Sequence, residues 1–151
     1  MTPAIGHFHI DRQFTVPPKR LWHLLTDPEM RTHWAAPSDD DLLVVETSDL
    51  REGGRDMHRC GPADDPAFTV ETIWFRLDAP SLACFTETVE ADGARIGTSL
   101  VTYGLAAMDG GTALGIDVQL SSFVGPEAMA EFEAGWTSGL ARLAKLIGTG
   151  A

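Results

Sequence analysis

The chain has 151 residues, 44% of them hydrophobic and 22% charged, the size and balance of one globular domain with its own core. Its 22 acidic residues outnumber 11 basic ones, and the formal net charge of −11 sets it against phosphate backbones and anionic lipid surfaces, so nucleic acid is not an expected partner. No apolar run can span a bilayer, the first residues lack a signal peptide's pattern, and Cys60 and Cys84 have no paired spacing, so a cytoplasmic protein with buried thiols is expected.

Residues 7–16 place Phe8, Ile10, Phe14 and Val16 on one face at period two, the pattern of a half-buried strand. Pro17-Pro18 ends it, and Leu21, Trp22, Leu24 and Leu25 follow at helical spacing in a short helix. Asp27-Pro28-Glu29 starts a second short helix with an N-cap carboxylate and a proline in the first turn, running to about Trp34. After the acidic loop Asp39-Asp40-Asp41 the pattern becomes β. Strands are expected at Leu42–Leu50, Arg55–Cys60, Phe68–Leu77, Leu82–Glu90, Arg95–Ala106 and Thr112–Ser122, separated by Asp, Gly and Pro turns.

Gly125-Pro126-Glu127 opens the last element, a helix that ends at Gly148. Met129, Phe132, Trp136, Leu140, Leu143 and Ile147 recur there every three or four residues, with Glu131, Glu133, Arg142 and Lys145 off that stripe. The strands must bury one face, and this helix, roughly 30 Å long, is the element able to cover it. The expected architecture is α+β, a single domain over residues 1–151 with its core at about 7–148. A curved antiparallel sheet wraps around a long C-terminal helix, with two short helices after the first strand.

Two hairpins yield a register. With Gly110-Gly111 as a two-residue turn, Leu105 faces Ile116, Tyr103 faces Val118 and Val101 faces Leu120, all on one apolar face. With Asp92-Gly93 as the turn, Phe85 falls opposite Leu100, and Cys84, Thr86, Thr88 and Ser99 share the face of Tyr103; a bulge would reverse this.

Leu24-Leu25-Thr26-Asp27-Pro28-Glu29 with Trp34 following, Asp49-Leu50-Arg51-Glu52-Gly53-Gly54, Gly110-Gly111-Thr112 and Gly135-Trp136 stand in this order over roughly residues 7–148. In order and spacing they resemble the activator of heat-shock protein 90 (Hsp90) ATPase homologue family, within the START-like (helix-grip, SRPBCC, polyketide-cyclase-like) superfamily. The resemblance implies a helix-grip fold with a deep cavity between sheet and long helix, which relatives use to hold lipids, sterols, polyketides or other apolar molecules. This chain departs from the family habit of an early aromatic after the double glycine, reading Arg55-Asp56-Met57-His58, so a more polar pocket is expected there.

The expected cavity lining is Trp34, Trp74, Tyr103, Phe123, Met129, Phe132 and Trp136, joined by Arg12 and His58. Arg12 shares the face of Phe8, Ile10 and Phe14; it either meets a carboxylate or an anionic ligand, or it snorkels to water. His58 is a candidate cavity acid or base as well as a structural histidine. His7 and His9 lie at period two and could share a metal, but the solvent face of an edge strand is the expected reading, with no metal and no cofactor. No phosphate loop, dinucleotide fingerprint, His-Glu-x-x-His or Gly-x-Ser-x-Gly is present, which tells against the common enzymes. The expected function is binding of a small apolar or amphipathic ligand without defined catalysis. The alternatives are a polyketide cyclase- or hydrolase-like enzyme, and a module acting on an Hsp90-type chaperone or another protein partner in a stress response.

Overall fold

The computed structural model describes residues 2–149. In chain order the elements are β1 (Ala4–Phe14), α1 (Pro18–Thr26), α2 (Pro28–Arg31), β2 (Asp41–Thr47), β3 (Arg55–Pro62), β4 (Phe68–Asp78), β5 (Leu82–Ala91), β6 (Ala94–Met108), β7 (Gly111–Ser122) and α3 (Glu127–Gly148). The described strands form one antiparallel sheet in the order β1-β7-β6-β5-β4-β3-β2, so consecutive hairpins run from β2 to β7 and β1 closes against β7. The two short helices carry the chain from one sheet edge, β1, to the other, β2. This is the helix-grip arrangement. No helix among the described residues is long and apolar enough to cross a membrane.

Local chemistry accounts for the breaks. The Asp27 carboxylate accepts from the amides of Glu29 and Met30 at 3.0 and 3.2 Å, satisfying two donors at the start of α2. That helix is shorter than expected: beyond Arg31 the chain tightens into i→i−3 bonds, Thr32 to Glu29, His33 to Met30 and Trp34 to Arg31. β2 likewise stops at Thr47 rather than Leu50, because the Asp49 amide donates to the Asp56 carboxylate at 2.7 Å and leaves the ladder.

The last hairpin has the expected faces in a shifted register. Tyr103 pairs with Ile116, Leu105 with Leu114 and Met108 with Gly111, so the turn residues are Asp109 and Gly110. Gly110 has φ +79° and supplies the left-handed turn position. Gly111 is held back for another reason: a Cβ there would overlap the carbonyl oxygen of Phe14 on β1. The slip is two residues, an even number, so Val101, Tyr103, Leu105, Leu114, Ile116, Val118 and Leu120 all remain buried on one face.

The β5–β6 hairpin turns at Asp92-Gly93 as expected, both at positive φ, but its register shifts between Val89 and Glu90. Phe85 therefore pairs with Val101, and the faces exchange along the rest of β5. Ala83, Phe85, Glu87 and Val89 turn toward α3, with Ser99 on the matching face of β6. Cys84, Thr86 and Thr88 take the outer face, where Thr88 bonds Thr98 at 3.0 Å. The expected small, semi-polar inner wall is thus corrected to an apolar one carrying a single carboxylate.

The 22 residues of α3 lie across this inner face. Leu140 and Leu143 in its second half are fully buried with Leu21, Leu24 and Leu25 of α1, whereas Phe132 and Trp136 in its first half are only partly covered. The two glycines of the last turn predict different costs on substitution. Gly110→Ala should lose about 1–2 kcal/mol to the left-handed backbone, and Gly111→Ala more, about 1–3 kcal/mol or above, from overlap with rigid main chain. Chemical denaturation of both variants measures the order, and Gly111→Ala as the milder change would refute the assigned turn.

Candidate ligand cavity

Four aromatic rings in sequence contact connect sheet to helix. Trp74 meets Phe85 at 4.8 Å between centroids, Phe85 meets Tyr103 at 5.1 Å, and Tyr103 meets Trp136 of α3 edge-on at 6.1 Å. On one side of this row the core is solid. On the other, a cavity of about 280 Å³ lies between sheet and helix. The strand residues that border it all stand at that end: Phe68 and Val70 before Trp74, Glu87 and Val89 after Phe85, and Ile96 before Tyr103. Cys60 and Leu43 continue the wall, and Trp34, Ala35 and Pro37 form a rim.

The helix wall is thinned by small residues. Ala128, Gly135 and Gly139 alternate with Phe132 and Trp136. A Cβ on Gly139 would stand 3.1 Å from the Trp34 carbonyl oxygen, so that glycine lets the rim pack closely, while a Cβ on Gly135 would meet nothing within 4 Å. The rim is pinned by Arg142. Its guanidinium donates to the carbonyls of Trp34 (3.1 Å) and Ala36, to Asp39 (2.9 Å) and to Ser138 (2.6 Å). Trp34 is fixed from below by its indole N–H on the Leu24 carbonyl at 2.8 Å.

A polar cluster breaks the apolar lining. Arg31, 4% exposed, donates from Nη2 to Glu87 Oε2 at 3.2 Å. Its Nε and Nη1, the His58 Nε2 and the Tyr103 hydroxyl are buried without a hydrogen-bond partner among the described residues. Each such group costs about 1–3 kcal/mol when left unmet. Burial pushes His58 down to about 4, the Arg31 charge adding to the effect and Asp56 partly opposing it, so the imidazole is neutral at physiological pH. Burial likewise raises the Tyr103 phenol well above its ordinary range and lifts the Cys60 thiol to about 11, leaving both protonated.

Of the residues expected to line the cavity, Trp34, His58, Phe132 and Trp136 border it. Tyr103 and Trp74 lie one and three rings behind Trp136 in the aromatic row. Phe123 sits past the end of β7, its amide on the Ile96 carbonyl, and Met129 packs over Gly6 of β1, so neither reaches the cavity. Arg12 does not border the cavity and follows the second of its two expected readings: it is exposed on the edge strand and donates to the Asp11 carbonyl at 2.8 Å. His7 and His9 lie on the outer face and share Asp117 Oδ1 at 3.1 and 2.9 Å, with His9 also on Asp11 at 2.8 Å. Hydrogen bonds donated to the Asp11 and Asp117 carboxylates raise the His9 pKa, and the two histidines lower that of Asp117.

Arg31 and Glu87 are the site residues that periodicity did not reveal. Glu87 stands out as a charge inside a strand, but only the bulge turns it inward. Arg31 lies three residues before the buried Trp34, one helical turn away on the same face, and that spacing was the available signal.

His58 ties stability to pH. The unfolded chain takes up its proton near 6.5 and the folded chain only near 4, so its contribution is full above about 6.5 and is lost as pH falls toward 4. The loss reaches at most about 3 kcal/mol. Thermal melts of wild type and His58→Gln across that window should converge as the pH drops; parallel curves would show that His58 is not buried neutral.

The family of the Activator of Hsp90 ATPase homolog 1-like protein matches residues 15–148. No curated protein matches the chain. Among solved structures, a protein of Rhizobium loti superposes with TM-score 0.82 at 21% identity, covering 96% of this chain and 99% of that one. The AHSA1 protein of Silicibacter pomeroyi gives 0.80 at 21% identity, covering 97% and 100%. One from Chromobacterium violaceum gives 0.79 at 22% identity, covering 93% and 95%. At these identities the structures speak for the fold. The match over nearly the whole length makes this chain a member of the Activator of Hsp90 ATPase homolog 1-like family.

Proposed function

We propose that this protein binds a small amphipathic molecule in the cavity between its sheet and α3. One observation carries the reading: Arg31, His58 and Tyr103 place unpartnered polar atoms in or beside an otherwise apolar hollow walled by Trp34, Phe132 and Trp136. A cavity of this kind, mostly apolar with a few convergent polar groups, is the usual form of a small-molecule site. A ligand with an apolar body and one polar end would meet the Arg31 and His58 atoms that border the cavity and fill the space together.

An enzyme of the cyclase or hydrolase kind is the second reading, favoured by a neutral histidine beside an ion pair in the same cavity. The chemistry weighs against it. A base near 4 is weak at neutral pH, and a thiol near 11 is a poor nucleophile. A protein-docking role has less support. Val124, one of the exposed large hydrophobics, borders the cavity itself and so belongs to that site.

Native mass spectrometry of gently purified protein, followed by denaturation, should release a bound apolar molecule. Gly135→Leu should fill the cavity from a helix position with room for a side chain, keep or raise the melting temperature, and purify empty. Wild type that is empty and unshifted by a panel of lipids and polyketides, or Gly135→Leu that retains full occupancy, would refute cavity binding.

A further inference from the structure

The Arg31–Glu87 pair is buried and incomplete. Side-chain exposure is 5% for Arg31 and 16% for Glu87, and one contact, Nη2 to Oε2 at 3.2 Å, joins them. An arginine facing a carboxylate commonly engages it through two parallel N–H bonds. Here Nε and Nη1 remain without partners. The Tyr103 hydroxyl is a further unmatched donor, and the neutral His58 Nε2 can donate or accept according to tautomer. The site therefore carries unpartnered donors on Arg31 and an ambivalent nitrogen on His58, with the Tyr103 hydroxyl buried behind Trp136.

It has no surplus of positive charge. Among the described residues bordering the cavity, one cation, Arg31, stands against two carboxylates, Glu87 inside and Glu131 exposed on α3. A carboxylate entering this space would lose its hydration, at a cost of several kcal/mol, and meet an arginine whose charge Glu87 already offsets. A ketone, aldehyde or ester oxygen loses far less on leaving water and can accept from the same donors. The aromatic walls suit a flat ring system, and about 280 Å³ lies at the small end of ligand pockets.

We propose that Glu87 determines ligand class: by neutralising Arg31 it makes the cavity a receptor for small uncharged carbonyl compounds with an aromatic or similarly apolar body, and excludes their carboxylate counterparts. This rests on the reading that the cavity binds a small molecule, and it adds a repulsive element to the attractive ones. Removing the Glu87 charge without changing its shape frees the guanidinium and reverses the choice.

The test uses naphthyl methyl ketone, naphthamide and naphthoate, three molecules of nearly one shape, titrated at about neutral pH, where naphthoate is ionised. Tryptophan fluorescence, reporting Trp34 and Trp136 in the cavity wall, and calorimetry read the affinity. Wild type should bind the ketone at least about tenfold tighter than naphthoate, with the amide also ahead of it. Glu87→Gln should move the ketone-to-naphthoate ratio at least about tenfold toward naphthoate. The double variant Arg31→Gln/Glu87→Gln should restore the preference for the ketone. If Glu87→Gln does not fold, the wild-type ranking still decides: naphthoate must come last. Equal binding of all three by wild type, or an unmoved ratio in folded Glu87→Gln, overturns the proposal and leaves cavity binding standing. Failure of wild type to take any of the three, with nothing released in native mass spectrometry, overturns both.

Discussion

The aromatic row from Trp74 through Phe85 and Tyr103 to Trp136 is the contact on which the rest of the architecture turns. It crosses three adjacent strands and ends on α3, fixing the distance between helix and sheet at one point along the helix. Beyond it, Leu140 and Leu143 have α1 and the buried faces of β6 and β7 to fill the space. Before it, the helix offers Ala128, Gly135 and Gly139, and the curved sheet falls away toward β2. Close packing cannot be kept along the whole helix with side chains this small, so the same row that seals one half of the core leaves the other half hollow.

The hollow half is held open by polar bonds at its rim as much as by packing. Arg142 ties Trp34, Ala36 and Asp39 to α3, and Trp34 is held to α1 through its indole N–H. Asp27 caps α2 and so sets where Arg31 leaves the helix to reach Glu87 across the cavity. Each of these bonds fixes one segment of the rim and the position of one site residue.

Period-two patterning is insensitive to an even slip, and that is why the faces of the last hairpin were readable from Tyr103, Leu105, Leu114 and Ile116 although the turn was placed one residue late. The lateness came from Gly111, whose small size serves its approach to Phe14 and not the turn. An odd slip is fatal to such reading. The bulge after Val89 moved Glu87 from the outer to the inner face, and no residue in Val89-Glu90-Ala91 announces it. The long helix was legible from its stripe, yet Arg142, off that stripe, proved half-buried at the rim, because long basic side chains bridge distances that periodicity does not encode. Arg12 shows the converse: on the apolar face by parity, it lies at a sheet edge where its guanidinium escapes to water. The departure at Arg55-Asp56-Met57-His58 carried more. It placed a polar side chain, His58, at the cavity wall, where aliphatic neighbours such as Val70 and Val89 would otherwise have suggested plain core.

A wall built only for stability would not look like this. Leucine or methionine at Arg31 and Glu87, and phenylalanine at Tyr103, would fill the same volume without unmet hydrogen-bonding atoms, and replacing a buried ion pair by apolar residues is often neutral or stabilising. Each of the buried polar atoms of Arg31, His58 and Tyr103 would cost about 1–3 kcal/mol if nothing met it, against a net stability of about 5–15 kcal/mol for a typical domain. A molecule seated in the hollow that supplies those bonds recovers that cost. Trp74 Nε1, Thr72 Oγ1 and Asp56 Oδ2 are also buried without partners among the described residues, away from the cavity lining, so what sets the hollow apart is a buried guanidinium and an imidazole that border open space. That placement is the physical ground for reading the cavity as a receptor.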